Sequence, residues 1–112
     1  MRYSVDISGY NEAYENAMYG RAQAYTETEI SVWDHTGDRY VKKDCSVDKH
    51  SSDGEGKKSF NKTLKGDCTF KAEPGHLYYL TIKMRVWCGN TNKDPQKSTV
   101  QVDKVNYVRI EF

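Results

Sequence analysis

The stretch Leu77-Tyr-Tyr-Leu-Thr-Ile-Lys-Met-Arg-Val-Trp-Cys88 alternates without a break. Tyr78, Leu80, Ile82, Met84, Val86 and Cys88 fall on one side, and Leu77, Tyr79, Thr81, Lys83, Arg85 and Trp87 on the other. A side-chain period of two belongs to a strand, because successive Cβ atoms point to opposite faces of a sheet. The even set is apolar and predicts a face turned to a core. The odd set, with its charges and rings, predicts a face turned to water.

The same period recurs on both sides of this stretch. Residues 2–8 set Tyr3, Val5 and Ile7 against Arg2, Ser4 and Asp6. Residues 21–33 set Ala22, Ala24, Thr26, Thr28, Ile30 and Val32 against Gln23, Tyr25, Glu27, Glu29, Ser31 and Trp33. In residues 39–47, Val41, Cys45 and Val47 are in phase and Lys43 breaks it, which predicts an edge or short strand. Residues 58–64 and 67–72 read as a hairpin around Lys65-Gly66, with Phe60 and Leu64 on one arm and Cys68, Phe70 and Ala72 on the other. A last strand covers residues 98–112, where Lys104 and Asn106 interrupt the phase and predict a bulge near Asp103-Lys104. Asp34–Asp38 and Pro74-Gly75 read as turns, and 48–56 and 89–97 as polar loops, the first of them mobile. Tyr10, Ala13, Tyr14, Ala17 and Met18 have helical spacing, so 11–19 is either a short helical turn or an ordered loop.

With 112 residues the chain predicts one domain over 1–112. Val, Ile and Thr number 21 against 8 Leu and Ala, which favours strands over helices. Charge is balanced, 17 basic against 16 acidic residues, and no apolar run is long enough to span a bilayer. Many short strands with turns of Gly, Pro, Asn and Asp predict an all-β domain, a single β-sandwich of about seven antiparallel strands.

The corner Ala72-Glu-Pro-Gly-His-Leu-Tyr78, followed by Tyr-Leu-Thr-Ile-Lys-Met, resembles the E–F corner of fibronectin type III and immunoglobulin-like domains. That resemblance implies a sandwich of their type, with the Tyr78 hydroxyl returning to backbone at the corner. A looser likeness, over most of the chain, is to small secreted proteins of Gram-positive bacteria, and it brings no functional residues with it. In the implied topology the strands 21–33 and 77–88 belong to opposite sheets.

Cys45, Cys68 and Cys88 are odd in number and contain no CxxC, so zinc-ribbon and thioredoxin-type motifs are absent. One bridge in an exported domain, or three buried thiols in a cytosolic one, both satisfy the count. In the implied topology Cys68 and Cys88 share an end and face inward, which makes Cys68–Cys88 the expected bridge and Cys45 the remainder. The polar, Tyr-, Lys- and Thr-rich composition favours a secreted or cell-surface protein whose leader has been removed; a cytoplasmic protein is the alternative.

Catalytic signatures are missing. The three histidines, His35, His50 and His76, sit in predicted turns and loops, and GxSxG, HExxH and glycine-rich phosphate loops do not occur. Asp48, His50, Asp53 and Glu55 fail the spacing of a calcium loop. Glu27 and Glu29 lie on a strand face with no expected cleft. No catalytic residue, metal ligand or cofactor is therefore expected. Residues 57–71 hold five Lys, but a net charge of +1 argues against a nucleic-acid partner.

Exposed rings remain as the candidate binding groups: Tyr79, Lys83, Arg85 and Trp87 on one strand, Tyr25 and Trp33 on another. Flat rings stack on sugars and anchor protein interfaces. In the implied topology they form two separate patches. The expected function is a non-catalytic binding module for a protein or glycan, monomeric or weakly dimeric. The alternatives are an assembly subunit pairing through edge strands and an inhibitor of an extracellular enzyme.

Overall fold

The computed structural model of the chain describes residues 1–14, 22–90 and 96–111. Six strands follow in order, β1 (Arg2–Tyr14), β2 (Ala22–Asp34), β3 (Arg39–Ser52), β4 (Glu55–Asp67), β5 (Tyr78–Asn90) and β6 (Gln96–Arg109), and no helix occurs among the described residues. They form two three-stranded antiparallel sheets with the orders β4-β1-β6 and β3-β2-β5. The strands are long, and the molecule extends 61 × 25 × 16 Å.

Alternation explains how the sheets meet. Tyr3, Val5 and Ile7 of β1 and Ile30 and Val32 of β2 have no exposed surface, and Phe60, Leu64 and Cys68 complete the cluster. The two central strands thus lie back to back in a sandwich-like arrangement. At the other end the buried residues shrink to Ala13, Ala22 and Ala24, with Asn11, Thr26 and Thr28 between the layers. Hydroxyl contacts join the layers, among them Tyr3 of β1 with Ser46 of β3, Asn11 of β1 with Thr26 of β2, and Ser98 of β6 with the Trp87 carbonyl of β5.

Several expectations change. The described residues form six strands where about seven were expected. Lys65-Gly66 is not a hairpin turn, because β4 runs through it to Asp67, and a Cβ on Gly66 would stand 2.9 Å from the Tyr3 hydroxyl. Residues 68–72 are not a strand. The segment 48–56 is not a loop; it is the end of β3, a tight turn at Asp53-Gly54 and the start of β4. Of the residues weighed as a helical turn, 11–14 belong to β1 and 15–19 lie outside the described residues. The bulge expected in the last strand is present, as register shifts of β6 against β1 that skip Asp103 and Asn106. The Tyr78 hydroxyl accepts a hydrogen bond from the Glu73 amide at 2.6 Å, which is the corner contact expected of it.

The inward face of β5 is only partly covered. Leu80 and Ile82 pack against the core, but Met84 is 41% and Val86 53% exposed, and Cys88 is exposed as well. An unbroken alternation fixes which side faces inward; it does not guarantee a layer to cover that side.

The disulfide also differs from expectation. Cys45 bonds Cys68, with Cα atoms 5.7 Å apart, and Cys88 is left outside it. The reason is distance along the sandwich. Cys68 follows β4 and exchanges backbone hydrogen bonds with Met1, whereas Cys88 lies opposite Ala24 at the other end. Closing a loop over a separation of 23 residues restricts the unfolded chain and contributes about 3 kcal/mol. Cys45→Ser with Cys68→Ser, or reductant, lowers the urea midpoint correspondingly, while Cys88→Ser leaves it unchanged. A loss of stability in Cys88→Ser would contradict this pairing.

Candidate functional site

In the β3-β2-β5 sheet, β2 is central and β5 runs beside it without a register shift. Opposite residues of an antiparallel pair share a face, so each rung joins two outward side chains. The rungs are Tyr25–Trp87, Glu27–Arg85, Glu29–Lys83, Ser31–Thr81 and Trp33–Tyr79. All six residues picked from the sequence therefore belong to one surface. The expected division into two patches on opposite sheets is wrong, because alternation reveals a strand's two faces but not its neighbours. Trp87 and Tyr79 are about half exposed; Tyr25 and Trp33 are partly buried.

The face has an aromatic end, a charged middle and a second aromatic end. Eight residues separate the two aromatic rungs along β2, roughly 26 Å at strand rise. At the Trp33 end, Tyr40 of β3 meets Trp33 edge-on at 4.8 Å, and His35 meets Tyr79 at 5.4 Å. Lys43 stands over the Tyr40 ring, 5.2 Å from its centre. In the middle, the Tyr25 hydroxyl donates to Glu27. That bond, with support from Lys49 and Arg85, holds the Glu27 carboxyl below its ordinary range, and the same bond raises the Tyr25 phenol.

A bulge in β3 shapes this surface. Ile30 pairs with Ser46 and Val32 with Lys42, so Lys43, Asp44 and Cys45 all stand opposite Ser31. Asp44 takes a left-handed backbone, φ 56°, which Asp tolerates better than most residues. Its amide donates to the Ser31 hydroxyl at 3.1 Å. Extra residues in one strand re-aim side chains. Here they send Cys45 inward to its bridge and leave Lys43 and Asp44 on the outer face. The result is a groove of about 220 Å³ bordered by Glu29, Tyr40, Lys43, Asp44, Lys83 and Arg85. Among the described residues no ion pair within 4 Å engages any of these five charges. Tyr40, Lys43 and Asp44 were not singled out from the sequence; the Lys43 break in phase was their signal.

His76 and His50 each sit in a cluster of acidic side chains. Asp34 is buried at the end of β2 and accepts from the Gly37 amide at 2.9 Å and from His76 Nδ1 at 2.8 Å. His76 Nε2 faces Glu73 at 3.1 Å, and Glu73 meets Arg39. Asp34, Glu73 and His76 have ligand atoms within 4.8 Å of one another, yet both ring nitrogens already point at carboxylates. The group ties the β2–β3 turn to the corner before β5, a role the His35 amide bond to Leu77 carbonyl shares. His50 is on β3 rather than in a loop, stacked on Phe60 at 4.2 Å and paired with Asp48, which Lys62 also approaches. Asp53 and Glu55 turn elsewhere, to Gln23 and Lys58, so the four residues weighed for calcium do not converge.

Burial alone would raise the Asp34 carboxyl; the Gly37 amide and His76, with Arg39 nearby, outweigh it and leave it below its ordinary 3.8. A carboxyl lowered by folding adds stability that is complete above the unfolded value and is lost as pH falls through the folded one. Below about pH 4 the wild type therefore loses the Asp34 contribution. Urea midpoints followed across pH show Asp34→Asn less stable than wild type at neutral pH, with the gap closing in acid. A gap that stays constant would contradict the role given to Asp34.

Comparison with protein-family models, with characterised proteins and with solved structures finds no match to this chain.

Proposed function

We propose that the chain is a non-catalytic binding module, secreted or displayed at a cell surface, that recognises a glycan or a protein through the outer face of the β3-β2-β5 sheet. The observation that carries this is the convergence of Tyr25, Trp33, Tyr79, Lys83, Arg85 and Trp87 on one surface. Ring planes at both ends offer stacking, and the charges between them offer hydrogen-bond donors and acceptors in alternation. That mixture suits sugar hydroxyls particularly well. Arg, Tyr and Trp are also the residues that dominate protein interfaces, so a protein ligand uses the same groups.

The Cys45–Cys68 bridge supports export, because disulfides persist in oxidising compartments. No helix among the described residues is long and apolar enough to cross a membrane. The Tyr78 corner contact supports kinship of architecture with immunoglobulin-like and fibronectin type III domains, although the strand order places β2 beside β5.

The test is retention on immobilised panels of polysaccharides and extracellular proteins. Whatever retains the wild type is bound about tenfold more weakly, or worse, by Trp87→Ala and by Tyr79→Ala, in keeping with a cost of about 1–2 kcal/mol for a truncated aromatic anchor. Both side chains are half exposed, so far-UV dichroism and the urea midpoint stay close to wild type. Lys104→Ala, exposed on β6 of the other sheet, serves as the control. Unchanged retention in both ring variants, or no retention of the wild type by either panel, would overturn the proposal.

A further inference from the structure

Four strands end the two sheets, β3, β4, β5 and β6. An open edge invites pairing with another chain, and proteins blunt such edges with bulges and lysines. β3 is bulged opposite Ser31, and β6 shifts register twice. β4 carries Lys57, Lys58, Lys62 and Lys65. β5 has no bulge, and its only lysine, Lys83, lies in its first half. It pairs with β2 without interruption from Tyr78 to Asn90, and its far half exposes Met84, Val86 and Trp87. Met84 and Val86 belong to the face that points into the sandwich, and among the described residues nothing covers them.

The sequence of β5 selects a neighbour. Self-pairing centred on Lys83 or Arg85 opposes each to its own copy, and centring on Met84 opposes Lys83 to Arg85. Like charges directly opposite are unfavourable. Centring on Val86 avoids all of these. It sets Val86 against the partner's Val86, Met84 against the partner's Cys88, and Arg85 against the partner's Trp87, a cation over a ring. Centring on Ile82 also escapes repulsion, but it covers Leu80 and Ile82, which the core already shields, and leaves Trp87 and Cys88 unpaired.

We propose that two copies of this chain associate through β5, antiparallel and centred on Val86, joining the two β3-β2-β5 sheets into one of six strands. A residue opposite its own copy puts the two-fold axis perpendicular to the sheet, so both outer faces look the same way. The ring-bearing surfaces of the two copies become one. Cys88 and the partner's Cys88 are then four residues out of register, roughly 13 Å apart along the strands and too far for a disulfide. The dimer is non-covalent in the wild type.

Sedimentation velocity over a concentration series, with cysteine cross-linking, tests this. The wild type shifts from monomer to dimer with concentration and runs as a monomer on non-reducing gels. Val86→Lys opposes two lysines at the axis and weakens association at least a hundredfold, with unchanged far-UV dichroism because Val86 is exposed. In a Cys88→Ser background, Val86→Cys forms a covalent dimer under mild oxidation and Ile82→Cys does not. A wild type that stays monomeric up to its solubility limit, a dimer that survives Val86→Lys, or cross-linking through Ile82→Cys instead would overturn the proposal.

Discussion

The back-to-back contact of β1 and β2 governs this structure. Each is the middle strand of its sheet, and Tyr3, Val5 and Ile7 meet Ile30 and Val32 with no surface left to water. Removing such side chains from water is the main favourable contribution to folding, about 1.5–3 kcal/mol for each fully buried one. The small residues at the far end, Ala13, Ala22 and Ala24 with Thr26 and Thr28, add much less apolar area. With β2 held on its inner side, its outward residues must face solvent between β3 and β5. The candidate site is thus the reverse side of the core.

What the sequence made legible follows from that contact. Strands beside a buried neighbour keep strict alternation, and β2 and β5 were placed within two residues of their observed limits. Errors arose where a residue had a reason other than the one its type suggests. Gly66 reads as a turn former but is needed for space beside Tyr3. His50 and Ser52 read as loop residues, yet they lie on β3 opposite the small Thr26 and Ala24, where Phe60 covers His50. Residues 68–72 alternate like a strand, but Cys68 is held by Cys45 and by Met1, which turns the chain away from the sheet.

The lateral order of strands was the larger omission. A period of two assigns faces within a strand and says nothing of which strand lies beside it. That gap produced the mistaken Cys68–Cys88 bridge and the mistaken division of the aromatic residues. It also hid the groove, whose Lys43 and Asp44 reach the outer face only because β3 carries extra residues opposite Ser31. The individual site residues were readable because exposed Trp and Tyr in an outward phase are conspicuous in a polar chain. Their assembly into one surface was not, because it depends on β2 and β5 being neighbours.

That adjacency is the most direct point of attack. Nuclear Overhauser contacts between strand backbones in an isotope-labelled sample report which strands pair and in which register. Cross-strand contacts link Tyr25 with Trp87 and Trp33 with Tyr79, as the pairing of β2 with β5 places them. Backbone pairing of β2 with any strand other than β3 and β5, or a one-residue slip that turns Trp87 inward, would contradict it.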